Sequence, residues 1–215
     1  YGAAQSRRRL IVRAVKEGEL PPLPAKTGSA DWYSTLEDLI IAEKEASEVP
    51  LSEAFTGKLP GTPNDEIARI NNYISRGLLD PNKPIITMGA SASKGVPFAR
   101  NAGGPAPTLL ASEKAVPRII FPGPGGLKDA TAIKVTPEMM RRLMGLPDTY
   151  VLPEIGPRGS FGPAKTILGN GVHGNVTENF IQPLVDQTVA GRQAFTDVPD
   201  LIAPSQIPSP GTGGI

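Results

Sequence analysis

At 215 residues the chain is long enough to bury a real core in one or two domains. Glycine and proline, 24 of each, make up roughly a fifth of it, so short elements and many turns are expected. The absence of cysteine excludes a disulfide framework, a thiolate metal site and a thiol nucleophile, and a net charge of +1 confines any nucleic-acid contact to local basic clusters. No apolar run approaches the ~20 residues a membrane span needs, so a cytoplasmic protein with no membrane contact is expected.

In chain order, residues 9–15 (RLIVRAV) read as one buried strand with charged groups delivered at its entry. The proline-rich EGELPPLPAKTGSA that follows can continue neither a ladder nor a helix. Ser34 to Ala46 reads as a short helix with Leu36, Leu39 and Ile40 on one face. TPNDEIARINNYISRGLL carries stronger signals: Thr62 as cap, Pro63 at the first helical position, Asp65 suiting the dipole, Ile67, Ile70, Ile74 and Leu78 at helical spacing, and Gly77 as a stop. Residues 85–132 alternate short apolar runs (IITM, TLLA, RIIF) with Gly, Pro and Ser clusters, which predicts a small, irregular strand-and-loop region. KVTPEMMRRLMGLPDTY predicts a two-turn helix capped by Thr136 and stopped at Gly145 and Pro147. After a glycine-rich loop, NVTENFIQPLVDQTVAG places Val176, Phe180, Ile181, Leu184, Val185 and Val189 on one stripe, with a kink expected at Pro183. Beyond Gly191 the Pro/Gly/Ser-rich tail is expected to be loosely ordered.

Few stretches carry chemistry by themselves. In QSRRR, strand alternation puts Gln5, Arg7 and Arg9 on one side, where they could hold an anion or a base edge, or simply face water on an edge strand. LGNGVHGN is a turn that lets backbone approach a ligand closely, although most such turns are only turns. His173, the lone histidine, has no carboxylate or Cys beside it and reads as structural or exposed; Met139, Met140 and Met144 read as core filling. No P-loop, zinc cluster or hydrolase triad is present.

The order of these pieces says more than any one of them. YGAAQSRRRLIV resembles the YGxPQxRxR segment, motif VIII, of the cytosine-5 DNA methyltransferases. PAPTLLAS resembles the PAPTLTAS-like end of that family's target-recognition domain. VTPEMMRRLMGLPDTY is similar to motif IX, and ILGNGVHGNVTENFIQPLVDQ to motif X with its GN(A/S)V core. The resemblance covers about residues 1–189 and is strongest at 1–15, 104–118 and 133–189.

The resemblance implies the C-terminal part of an α/β, Rossmann-like methyltransferase fold plus a small irregular α+β recognition domain. Residues 1–21 would carry motif VIII, 22–132 the recognition domain, 133–190 motifs IX and X, and 191–215 a flexible tail. The family's S-adenosylmethionine loop, its PCQ loop with the nucleophilic Cys and its ENV loop lie earlier and would belong to an N-terminal chain or fragment. A Cys thiolate adds to C6 of a flipped cytosine in this chemistry, so this chain alone is expected to be inactive. By position Arg9 matches the Arg at the cytosine edge, Arg7 its supporting neighbour and Gln5 a positioning group. Thr108 and Leu109 match the recognition-domain pair, whose Thr steadies a phosphate; Lys94, Arg100, Lys114 and Arg118 are further candidate phosphate contacts on double-stranded DNA. Arg142 matches the motif IX Arg that organises the recognition domain against the core, while Met139 replaces the usual Glu. Asn170, Gly171 and Val172 match the turn that completes the S-adenosylmethionine pocket, with Gly171 where Ala or Ser is usual and Ala4 where Pro is usual. A nucleoid-associated location would follow in a bacterium or phage. The alternative from another class is a non-catalytic, sequence-specific DNA-binding or regulatory module derived from the same family.

Overall fold

The structure, a computed structural model, describes residues 2–5, 12–15, 18–22, 25, 27–54, 63–87, 98–109, 116–153 and 162–196. Helix α1 (Trp32–Ser47) buries Trp32, Leu36 and Ile40, a stripe at four-residue spacing. Its cap is Asp31, whose carboxylate accepts from the Tyr33 and Ser34 N–H groups at 3.2 Å each and from the Ser34 hydroxyl at 2.9 Å. The same carboxylate accepts from the N–H groups of Gly103 at 2.8 Å and Gly104 at 3.2 Å, so one side chain fastens the helix start to the loop before PAPTL. Burial pushes the Asp31 pKa up, but these donors outweigh it and hold the carboxyl below its ordinary value. A depressed folded pKa contributes stability above the unfolded pKa and loses it as pH falls through the folded one. Asp31→Ala should therefore cost about 1–2 kcal/mol at neutral pH, a difference that shrinks below about pH 4 in urea unfolding.

After α1 come β1 (Val49–Pro50), α2 (Leu51–Ala54), α3 (Pro63–Ser75), β2 (Ile85–Thr87), β3 (Ala99–Asn101), β4 (Arg118–Gly123) and β5 (Gly126–Lys134). The strands form one antiparallel sheet in the order β1-β5-β4-β2-β3. Pairing of Ile86 with Ile119, and of Ile119 with Ile133, sets one face; pairing of Ile85 with Ile120, and of Ile120 with Ala132, sets the other. The first face shares a core with Trp32, Leu36 and Ile40 of α1 and with Met139, Met140 and Leu143 of helix α4 (Pro137–Leu143). The second packs on Leu51 of α2 and Ile70 of α3. Helices thus cover both faces, which is why the central strands read as unbroken apolar pairs instead of alternating.

Helix α4 starts as predicted, with the Thr136 hydroxyl accepting from the Met139 N–H at 3.3 Å and Pro137 at the first position. Helices α5 (Gly162–Asn170) and α6 (Gly174–Thr196) follow, and α6 runs through Pro183. The protein is therefore mixed α/β, and its sheet is antiparallel. Among the described residues no helix is long and apolar enough to cross a membrane.

Several expectations are corrected. Residues 12–15 form no strand, and Val12 is 80 % exposed: an apolar run becomes a strand only where another backbone completes its ladder. Residues 9–11, Thr62 and residues 197–215 of the expected tail lie outside the described residues, whereas residues 191–196 of that tail continue helix α6. Thr108 and Leu109 are not in a strand either; Leu109 is buried and its N–H is taken by a side chain. The stretch read as a glycine-rich loop contains α5, which buries Ala164, Lys165 and Leu168 in spite of Gly162, Pro163 and Gly169. The expected boundary between residues 132 and 133 falls inside β5, and one core draws on both sides of it.

Candidate functional site

Residues 2–5 lie between two other stretches of chain. The Gly2 N–H donates to the Gly28 carbonyl at 3.0 Å, and the Ala30 N–H donates to Ala3 at 3.1 Å. On the other side the Ala106 N–H donates to Ala4 at 2.7 Å, and Gln5 bridges Ala106 in parallel. The start of the motif VIII-like segment is thus fixed against the PAPTL stretch, about a hundred residues away in sequence.

Gln5 is itself buried. Its Oε1 accepts from the Leu109 N–H at 3.1 Å, and its Nε2 donates to the Met144 sulfur. Met144 sits at the end of α4, fully buried, and its methyl group borders Gly171. The Met144 carbonyl accepts from the Gly174 N–H at 2.7 Å, closing α4 onto the start of α6. This approach is too close for side chains: a Cβ on Gly174 would stand 2.3 Å from the Gly145 carbonyl oxygen, and Gly145, at φ +62, has the His173 ring against its Cα. His173 is buried, and burial holds its pKa below the ordinary value against an opposing pull from the Leu143 backbone.

Asn170 ends α5, and Gly171 and Val172 follow it in the short turn that leads to α6. Asn170 and Val172 are exposed while Gly171 is half-buried, so the amide side chain and the turn backbone are accessible to a ligand. A Cβ at Gly171 would have its nearest neighbours at 3.4 Å, so the Ala or Ser usual at this point in the resembled family fits without moving backbone. Among the described residues no cluster of His, Cys, Asp or Glu fits a metal ion.

The candidate DNA contacts are distributed. Strand register puts Arg100, opposite Ile86, on the α1 face of the sheet and Arg118, opposite Thr87, on the α3 face. Arg100 donates to the Pro105 carbonyl at 3.3 Å, and Arg118 to Val116 at 3.1 Å. Burial lowers the Arg118 pKa, opposed by the Glu66 charge. Burial also raises the Glu66 carboxyl, opposed by the Thr87 hydroxyl and the charges of Arg118 and Arg69. Thr108 is half-buried, whereas Leu109 belongs to the core. Arg142 pairs with Asp38 of α1, tying α4 to that helix, and its hydrogen bond holds the exposed Asp38 carboxyl below the usual range. Arg141 clasps Asp148 at 2.7 Å and shares with residues 148–153 a cleft of about 480 Å³. Arg7, Arg9, Lys94 and Lys114 lie outside the described residues.

Sequence reasoning missed the role of Met144, read only as core filling. Its sulfur is an acceptor as well as an apolar mass, and nothing local marks it. The chain matches no protein-family model, no curated protein and no solved structure.

Proposed function

We propose that this chain is the C-terminal, DNA-recognising part of a DNA (cytosine-5-)-methyltransferase, working with an N-terminal part that carries the nucleophilic Cys. One observation carries the reading. The stretches that resemble motif VIII, the end of the recognition domain, motif IX and motif X meet around Met144 through Gln5, Leu109, Gly171 and Gly174. A shared site requires these segments to meet, and the same hydrophobic core that holds α1 and the sheet brings them together. In this reading the antiparallel sheet and α1–α3 form the recognition domain, and α4–α6 join a Rossmann-like catalytic fold completed by the partner.

Within that site the residues of this chain bind and orient. Arg9 presents a fixed positive charge to the acceptor edge of the flipped cytosine, and Arg7 supports it from beside. Thr108 steadies a DNA phosphate, with Lys94 and Lys114 as further contacts, whereas Arg118 faces Glu66 beneath α3 and Arg100 lies on the opposite face of the sheet. Asn170 and the backbone of Gly171 and Val172 hold S-adenosylmethionine, which supplies the methyl group when bound.

Helix α6 supports a partner. No side chain from 174 to 190 is buried, and Ile181, Val185 and Val189 are all more than 40 % exposed along one stripe. Val185→Lys should abolish assembly with the N-terminal part and leave the urea midpoint of the isolated chain within error. Native mass spectrometry with peptide sequencing on source material tests the proposal. A second chain with PCQ and ENV loops is expected. This chain alone at its own mass, binding DNA with log K falling steeply with log salt, would instead establish the non-catalytic module.

A further inference from the structure

We infer that Gln5 is a positioning residue that couples the recognition stretch at Thr108–Leu109 to the turn at Asn170–Gly174. Which ligands lie at the two ends rests on the function proposed above; the coupling itself does not. Gln5 is 4 % exposed, Leu109 2 % and Met144 fully buried, so the three groups meet where water cannot replace a lost partner.

The amide orientation is dictated by chemistry. The Leu109 N–H can only be accepted, so Oε1 must face it at 3.1 Å, and Nε2 must then face the Met144 sulfur. With both ends of its amide engaged inside the protein, Gln5 is not available to touch a base. It instead fixes the chain two residues before Arg7 and four before Arg9. From Met144 the linkage continues by two routes: the methyl borders Gly171, and the carbonyl takes the Gly174 N–H at 2.7 Å. A load on Thr108 shifts Leu109, and Gln5 can follow only by moving Met144 or breaking a buried hydrogen bond. The linkage is reciprocal, so a ligand seated on the 170–172 turn also steadies the recognition stretch.

Hydrogen exchange on the full chain tests this. Gln5→Met keeps length and apolar volume and removes both hydrogen bonds. Protection of the Leu109 and Gly174 amides should fall together by about tenfold, while the Ile119 amide in the sheet is unchanged. Loss at Leu109 alone, with Gly174 as protected as before, would overturn the inference. Met144→Leu supplies the second arm should Gln5→Met not fold: it removes the sulfur acceptor and retains a buried apolar side chain. Leu109 protection should then fall about threefold although its own acceptor is intact, and an unchanged Leu109 amide would overturn the coupling. Neither readout involves methyl transfer, so failure here is separable from failure of the methyltransferase reading.

Discussion

Gly174→Ala should destabilise the chain by about 3 kcal/mol or more, read as a lower urea midpoint. Two effects oppose each other at this position. Gly174 opens α6, where alanine is the better helix former by about 1 kcal/mol. Against that, the new Cβ would lie 2.3 Å from the Gly145 oxygen and 3.0 Å from its carbon, both backbone atoms. Relief would require pulling α6 away from α4, which breaks the 2.7 Å bond from Gly174 to Met144 and disturbs a fully buried methionine. The steric cost therefore wins. Gly171→Ala is the control, because its Cβ meets ordinary contact distances from 3.4 Å; it should change stability by less than about 1 kcal/mol. A Gly174→Ala chain as stable as its parent would show that the α4–α6 junction is looser than the hydrogen bond implies.

The second large effect belongs to Arg9. If the proposed function holds, Arg9→Ala in the complex with the Cys-bearing part should lower kcat by about 10²–10³, the usual loss when one preorganised donor to developing charge is removed. Arg9→Lys should restore little of it, since a point charge does not reproduce a planar fork with fixed donors. Single-turnover methyl transfer at saturating DNA separates this from weaker binding. A loss confined to KM would move Arg9 from the base edge to the phosphate backbone. Gln5 strengthens the expectation, because the chain entering this segment is held by backbone bonds on two sides and by a buried side chain.

Local chemistry was legible in the sequence where it is self-contained. Thr136 and Pro137 start α4 as predicted because cap and first-turn geometry depend on neighbours three residues away. Helix α1 starts two residues before the Ser34 that the apolar spacing indicates, because its cap Asp31 is also fixed by Gly103 and Gly104 some seventy residues on. Helix α5 was missed because its glycines and proline argue against a helix, and what overrides them is burial of Ala164 and Leu168. Residues 12–15 failed as a strand for the opposite reason: the apolar run is there, the ladder is not. At the candidate site, resemblance supplies residue types and their order. The contact that joins them, Gln5 to Met144 across 139 positions, was not legible, since an amide–sulfur pair leaves no periodicity to read.

Methyl transfer from labelled S-adenosylmethionine to double-stranded DNA, with this chain, the Cys-bearing part and the two together, tests the central claim most directly. The account predicts label at C5 of cytosine only when both are present, and its loss when the Cys is replaced. Equal transfer by the Cys-bearing part with and without this chain would contradict it.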